Sequence, residues 1–204
     1  MNKHISLLAF LTAVTCCALS QQPQCAETAA LPAWQPDKNL LGSLEAASPI
    51  GEYELRSPKG YERQRQQGPD SADAVAWVTP ERKDGTRAYV MVGRVEMPAA
   101  EIGKYTLEQL LDGFLKSVQR RRKKDWKRSK TERGTINGIT FVRARWSGTA
   151  AGAKFKMHGF HYLTVVGDKV FQLSSQDVEP HHKKALPLAE CSVLTFQKKG
   201  DPKQ

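Results

Sequence analysis

TLEQLLDGFLKSVQRRRKKDWKRSK, residues 106–130, decides how the rest of the chain is read. Thr106 is placed to cap a helix, and Gln109 three residues on completes the capping-box pattern. Leu107, Leu110, Leu111, Phe114, Leu115 and Val118 recur at spacings of three and four, which puts them on one helical face. Gly113 inside that helix costs about 1 kcal/mol against Ala and is read as a mark of close packing. A stripe of this kind needs a sheet to bury it. The second half is different: Arg120, Arg121, Arg122, Lys123, Lys124, Lys127, Arg128 and Lys130 place eight cations in eleven positions.

The sheet is legible on both sides of the helix. Tyr53 and Leu55 alternate with Glu54 and Arg56, a short strand ended by Ser57-Pro58-Lys59-Gly60. Gln64 to Asp73 is polar and holds Gly68-Pro69, so it is read as a loop. Ala74 to Thr79 and Ala88 to Met97 form a hairpin around Asp84-Gly85. Thr131 to Ile136 and Ile139 to Trp146 form a second, around Asn137-Gly138, the strongest turn signal in the chain. Gly148 to Gly152 is a small-residue loop, and Phe155 to Val166 and Lys169 to Ser175 form a third hairpin around Gly167-Asp168. Glu179-Pro180 starts a second helix, which Pro187 makes less regular. The expected fold class is α+β: an α/β/α sandwich with a mainly antiparallel sheet, one central amphipathic helix and one C-terminal helix.

The order of elements is similar to that of the PsbP-like, Mog-like and DcrB-like superfamily. The resemblance rests on Ser57-Pro58-Lys59-Gly60-Tyr61, the helix opening Thr106-Leu107-Glu108-Gln109-Leu110-Leu111 and the Asn137-Gly138 hairpin. It continues through Val165-Val166-Gly167-Asp168-Lys169-Val170-Phe171 and Ser192-Val193-Leu194-Thr195-Phe196, and spans about Pro49 to Gln197. Members are mostly non-enzymatic partners of larger assemblies. The resemblance therefore implies a binding or accessory module and carries over no catalytic residue.

The N-terminus is read as an address. Lys3 precedes an apolar run, Ile5 to Leu19, that is shorter than the about 20 residues of a membrane span. Residues 1–20 are expected to be a secretory signal cleaved after Ser20, with Ala30 as a second position and an uncleaved anchor as the alternative. Cys16 or Cys17 would be lipidated if the signal is of the lipoprotein type, and one acyl chain beside a positive patch attaches a protein to a membrane. Residues 21–48 read as a flexible linker, 49–199 as the domain and 200–204 as a polar tail. The expected location is exported, periplasmic or extracellular. Cys25 and Cys191 then remain, and in an oxidising compartment they either pair or stay as two thiols. A bond would close a loop of about 165 residues, worth roughly 4–5 kcal/mol on chain entropy.

The chain has 204 residues, of which 40% are hydrophobic and 25% charged, enough for one globular core and unlike a disordered chain. Its formal charge of +10 comes from 31 Lys and Arg against 21 Asp and Glu, which favours acidic partners. The eight-cation run suits a helix C-terminus electrostatically, at about 0.3–1 kcal/mol per charge. It also suits an acidic protein, an acidic polysaccharide or an anionic lipid surface. Nucleic acid fits the charge but not the expected compartment. His158 and His161 fall on opposite faces of a strand, and His181 and His182 diverge, so no metal or other cofactor is expected. Ser174, Ser175, Asp177 and His181 lie near one another without a known nucleophile spacing, and Cys191 lacks basic neighbours. The expectation is a non-catalytic binding module of the cell envelope; the alternative is an envelope enzyme with an unrecognised site.

Overall fold

A computed structural model describes residues 30–67 and 72–200. The expected signal peptide, Cys16, Cys17, Cys25 and residues 201–204 lie outside the described residues.

The strands are β1 Leu44–Ile50, β2 Tyr53–Pro58, β3 Glu62–Gln67, β4 Ala72–Val78 and β5 Tyr89–Glu96, followed by a single turn of helix, α1 Ala99–Ile102. Then come α2 Leu107–Arg121, β6 Lys124–Arg128, β7 Glu132–Ile136, β8 Ile139–Thr149, β9 Met157–Val166, β10 Lys169–Val178, α3 His182–Val193 and β11 Gln197–Lys198. Eight strands form one antiparallel sheet in the order β3-β4-β5-β10-β9-β8-β6, with β7 also paired to β8. A smaller sheet, β1-β2-β11, and α3 lie on one face of it. The other face carries α2, over β8 and β9. This is the α+β sandwich that the helix stripe and hairpin signals predicted.

Alternation along each strand divides the core between the two faces. Val142, Ala144, Trp146, Leu163 and Val170 meet Leu111, Leu115 and Val118 of α2. Full burial of each such α2 side chain is worth about 2 kcal/mol. Phe141, Phe160, Tyr162, Phe171 and Leu173 meet β2, α3 and Phe196 on the other face. The capping box is present as read: Gln109 N–H donates to Thr106 Oγ1 at 3.2 Å, and the Thr106 N–H donates to Gln109 Oε1 at 2.8 Å. Asn137 and Gly138, with φ of 46° and 78°, turn β7 into β8 as a two-residue hairpin of this sequence should.

Several expectations give way. Gly113 faces solvent with no atom within 4 Å of where a Cβ would stand, so it marks no close packing. Gln64 to Gln67 are not loop but the end of β3, in register with β4 from Glu62↔Val78 to Gln67↔Asp73. β3 is an edge strand, and polar sequence is how edges are kept from pairing further. The compact unit starts at Leu31 rather than Pro49. Within the expected linker, Thr135 N–H donates to Pro32 O and Trp34 N–H donates to Thr135 O, while β1 pairs with β2. Trp34 meets Tyr162 edge to face with ring centres 5.5 Å apart. α3 begins at His182, two residues beyond Pro180, and runs through Pro187. β8 continues to Thr149, so the small-residue loop starts later than expected.

Glycine supplies the seats for three indoles. A Cβ on Gly134 would lie 2.5 Å from Trp34, one on Gly148 3.1 Å from Trp126, and one on Gly159 2.5 Å from Trp146 and 2.7 Å from the Ser175 carbonyl. At Gly159 the obstruction includes backbone, so little can yield. Gly159→Ala should cost about 2 kcal/mol. Urea unfolding checks this, and an unchanged midpoint would contradict the packing described.

Candidate functional site

The basic run is divided by the fold. Arg120 and Arg121 close the last turn of α2, Arg122 is its C-cap, and Lys124 to Arg128 form β6 at the sheet edge. The run is therefore not a continuous helix end: the chain leaves the helix at Arg122 and pairs with β8, Lys124 opposite Thr149 and Arg128 opposite Trp146. A bulge between them holds Asp125 at φ 54°.

Two of the eight cations are committed to the fold. The Arg122 guanidinium turns inward, donating from Nη2 to Gln176 Oε1 at 2.9 Å and from Nε to Met157 Sδ at 3.3 Å. It also lies 5.1 Å from the centre of the Trp146 ring, a cation–π distance. Burial there pushes its pKa down. Arg128 donates to Asp112 of α2 and to Thr131, each at 2.6 Å. Trp126 stacks on Trp146 with ring centres 5.7 Å apart, so it joins the core instead of standing at an interface.

Arg120, Arg121, Lys123, Lys124, Lys127 and Lys130 are exposed and make no ion pair among the described residues. Arg120 and Lys123 line a shallow groove of about 310 Å³ with Lys116 and Gln119. Lys116 and Arg120 share a face of α2 at i, i+4, and Lys123, just beyond the helix end, completes a cationic ridge along the groove.

Under this ridge lies a buried polar pair that the sequence did not disclose. Trp146 Nε1–H donates to His161 Nδ1 at 3.0 Å, which fixes the proton of the neutral ring on Nε2. Burial, with Arg122 and Arg121 nearby, pushes the His161 pKa down to about 3.

His158 and His161 lie on opposite faces of β9, and His181 and His182 diverge, as their sequence positions predicted. His158 stacks on His182 across β9 and α3, ring centres 3.8 Å apart and nearly parallel, and its Nε2 meets Glu179 at 2.6 Å. His181 meets Asp84 at 3.0 Å. Among the described residues no three His, Cys, Asp or Glu side chains stand where they could hold a metal. Ser174 and Ser175 point to opposite faces of β10, and Asp177 is held by Arg82, so the structure does not assemble them with His181. Cys191 is buried, its thiol donating to the Asp37 carbonyl at 3.5 Å, and burial pushes its pKa up.

A second cleft, of about 370 Å³, lies between the Trp34 segment and α3. There Tyr162 donates to Glu190 at 2.6 Å, Arg145 reaches the same carboxylate at 2.7 Å, and Arg143 lies 4.3 Å from the centre of the Trp34 ring. Burial, then Glu190, raises the Tyr162 pKa. Each charge here has a partner, and the network pins the Trp34 segment to the sheet. Its signal was absent from the sequence because Trp34, Arg143 and Glu190 are far apart along it.

No protein-family model and no curated protein matches the chain. Solved structures do. The chain is similar to the cyanobacterial PsbP, CyanoP, from Synechocystis sp. PCC 6803, with 18% identity over 76% of this chain and 92% of that one and a TM-score of 0.55. It is also similar to LpqN of Mycobacterium tuberculosis, described as involved in cell envelope biogenesis, with 12% identity over 75% and 85% and a TM-score of 0.50. The fold is the PsbP-like one that the resemblance in sequence implied. Among the described residues no helix is long and apolar enough to cross a membrane.

Proposed function

We propose that this protein is an exported, non-catalytic accessory module of the cell envelope that binds an anionic partner through the exposed cations of α2 and β6. The observation that carries the reading is the division of the run. Arg122 and Arg128 are used by the fold, whereas Arg120, Arg121, Lys123, Lys124, Lys127 and Lys130 stand exposed and without ion pairs among the described residues. Like charges crowded on a surface repel, and an anionic partner relieves that repulsion. The similarity to CyanoP and to LpqN, itself described as an envelope biogenesis protein, supports an accessory role in that compartment. The signal-like N-terminus supports export.

Sedimentation with isolated cell envelopes at low salt tests the proposal. Arg120→Gln/Arg121→Gln/Lys123→Gln/Lys124→Gln should bind at least about tenfold more weakly than the wild type, since each cation near an anionic surface is worth about 1 kcal/mol before screening. Undiminished binding overturns it.

A further inference from the structure

The antiparallel topology gathers five further lysines beside the basic run. β9 starts and β10 ends at the end of the sheet where α2 finishes, as Arg122 shows by reaching both Met157 and Gln176. α3 starts at the same end, where His182 stacks on His158. The loop from β4 to β5 also closes there, its Arg82 bound to Asp177. Three further segments therefore place Lys83, Lys154, Lys156, Lys183 and Lys184 at this pole, none in an ion pair among the described residues.

The carboxylates of the pole nearly all have a local bonding partner. Asp177 is held by Arg82 and Glu81 by Arg87. Asp84 is bonded by Thr86 and His181, and Glu179 by His158. Asp125, on the β6 bulge, is the exception. The surplus of positive charge is thus spread over four separate segments.

The kind of anion follows from that spread. Outside the run these cations are all lysines, which act as flexible point charges instead of rigid forks for one carboxylate or phosphate. They stand on three separate segments of the chain. Between β8 and β9 the pole also presents an exposed tip without a charge, Ala151-Gly152-Ala153, followed by Lys154-Phe155-Lys156 with the Lys154 ammonium 5.1 Å from the Phe155 ring centre. Small apolar residues and an aromatic ring flanked by lysines suit the headgroup region of a bilayer. We infer that this whole end of the sheet is a docking surface for an anionic lipid bilayer. The inference rests on the reading that the exposed run binds an anionic partner.

Sedimentation with vesicles of phosphatidylglycerol and phosphatidylcholine, against phosphatidylcholine alone, tests it at low and high salt. The run is left intact, and two charge-matched variants are compared. Lys183→Gln/Lys184→Gln alters the pole, whereas Lys198→Gln/Lys199→Gln alters exposed lysines at the opposite end, where Lys199 N–H bonds Glu52 O. Each cation near the anionic surface is worth roughly fivefold in partition, less where salt screens it. The pole variant should lose about tenfold at low salt and the opposite variant much less. Lys154→Gln/Lys156→Gln should behave as the pole variant does. Equal losses from both ends would mean that net charge alone governs binding and would overturn the inference. Equal binding of the wild type to both vesicle types would overturn it too. Envelope binding that persists in that last case leaves an acidic protein or polysaccharide as the partner, so the bilayer assignment fails without the basic-run reading.

Discussion

Arg82→Ala should destabilise the protein by about 3–5 kcal/mol, because it strands a buried carboxylate. Asp177 is 0% exposed on β10. Its two oxygens accept from Arg82 Nη1 at 2.7 Å and Nη2 at 2.9 Å, and Oδ1 also accepts from the Val178 N–H at 2.8 Å. The guanidinium is steadied by Thr86 at 3.2 Å, within the loop that joins β4 to β5. Its removal leaves a negative charge in the core with a backbone amide in place of a bidentate partner. Adding Asp177→Asn should recover part of the loss by removing the charge, so the double variant should be more stable than Arg82→Ala alone. Urea unfolding of the wild type, both single variants and the double closes the cycle. Purely additive losses would show that the pair contributes nothing as a pair.

Acid should weaken the fold through His161, by about 3 kcal/mol between neutral pH and pH 4. The buried ring has its pKa pushed down to about 3, whereas an unfolded histidine titrates near about 6.5. Between those values the unfolded chain binds a proton that the native one does not. The contribution is therefore whole above about pH 6.5 and is lost as pH falls, at roughly 1.4 kcal/mol per pH unit, down to the native pKa. His161→Gln keeps an acceptor for the Trp146 N–H but cannot take up that proton. Its unfolding free energy should fall less steeply than the wild type's from pH 6.5 to pH 4. Parallel profiles would contradict the assignment, whatever other carboxylates contribute, since those are common to both proteins.

Short-range signals were the readable ones. The stripe of α2, its capping box and the turns at Asp84-Gly85, Asn137-Gly138 and Gly167-Asp168 each depend on residues a few positions apart, and each stands as read. What escaped depends on distant partners. Trp34 appears linker-like until Gly134, Tyr162 and Arg143 are brought to it by the sheet. β3 lacks alternation because an edge strand needs only one neighbour. β6 was hidden within the charge run, since Lys-Asp-Trp-Lys-Arg reveals its strand only through the β8 register.

The candidate site was half legible for the same reason. Its charges are a local fact of sequence. Arg122 could not be told from Arg121 until Trp146, Met157 and Gln176 stood around it. Nor could Lys154 or Lys183 be assigned to the same end of the molecule before the strand order was known.

Whether the exposed cations serve binding and not the fold is tested most directly by the envelope-binding isotherm of Arg120→Gln/Arg121→Gln/Lys123→Gln/Lys124→Gln, taken at low salt on protein whose melting temperature lies within about 3 °C of the wild type's. Arg122 is left in place, so the contacts to Trp146 and Gln176 are retained. The predicted result is a folded protein with affinity reduced at least about tenfold. An isotherm that overlays the wild type's would contradict it.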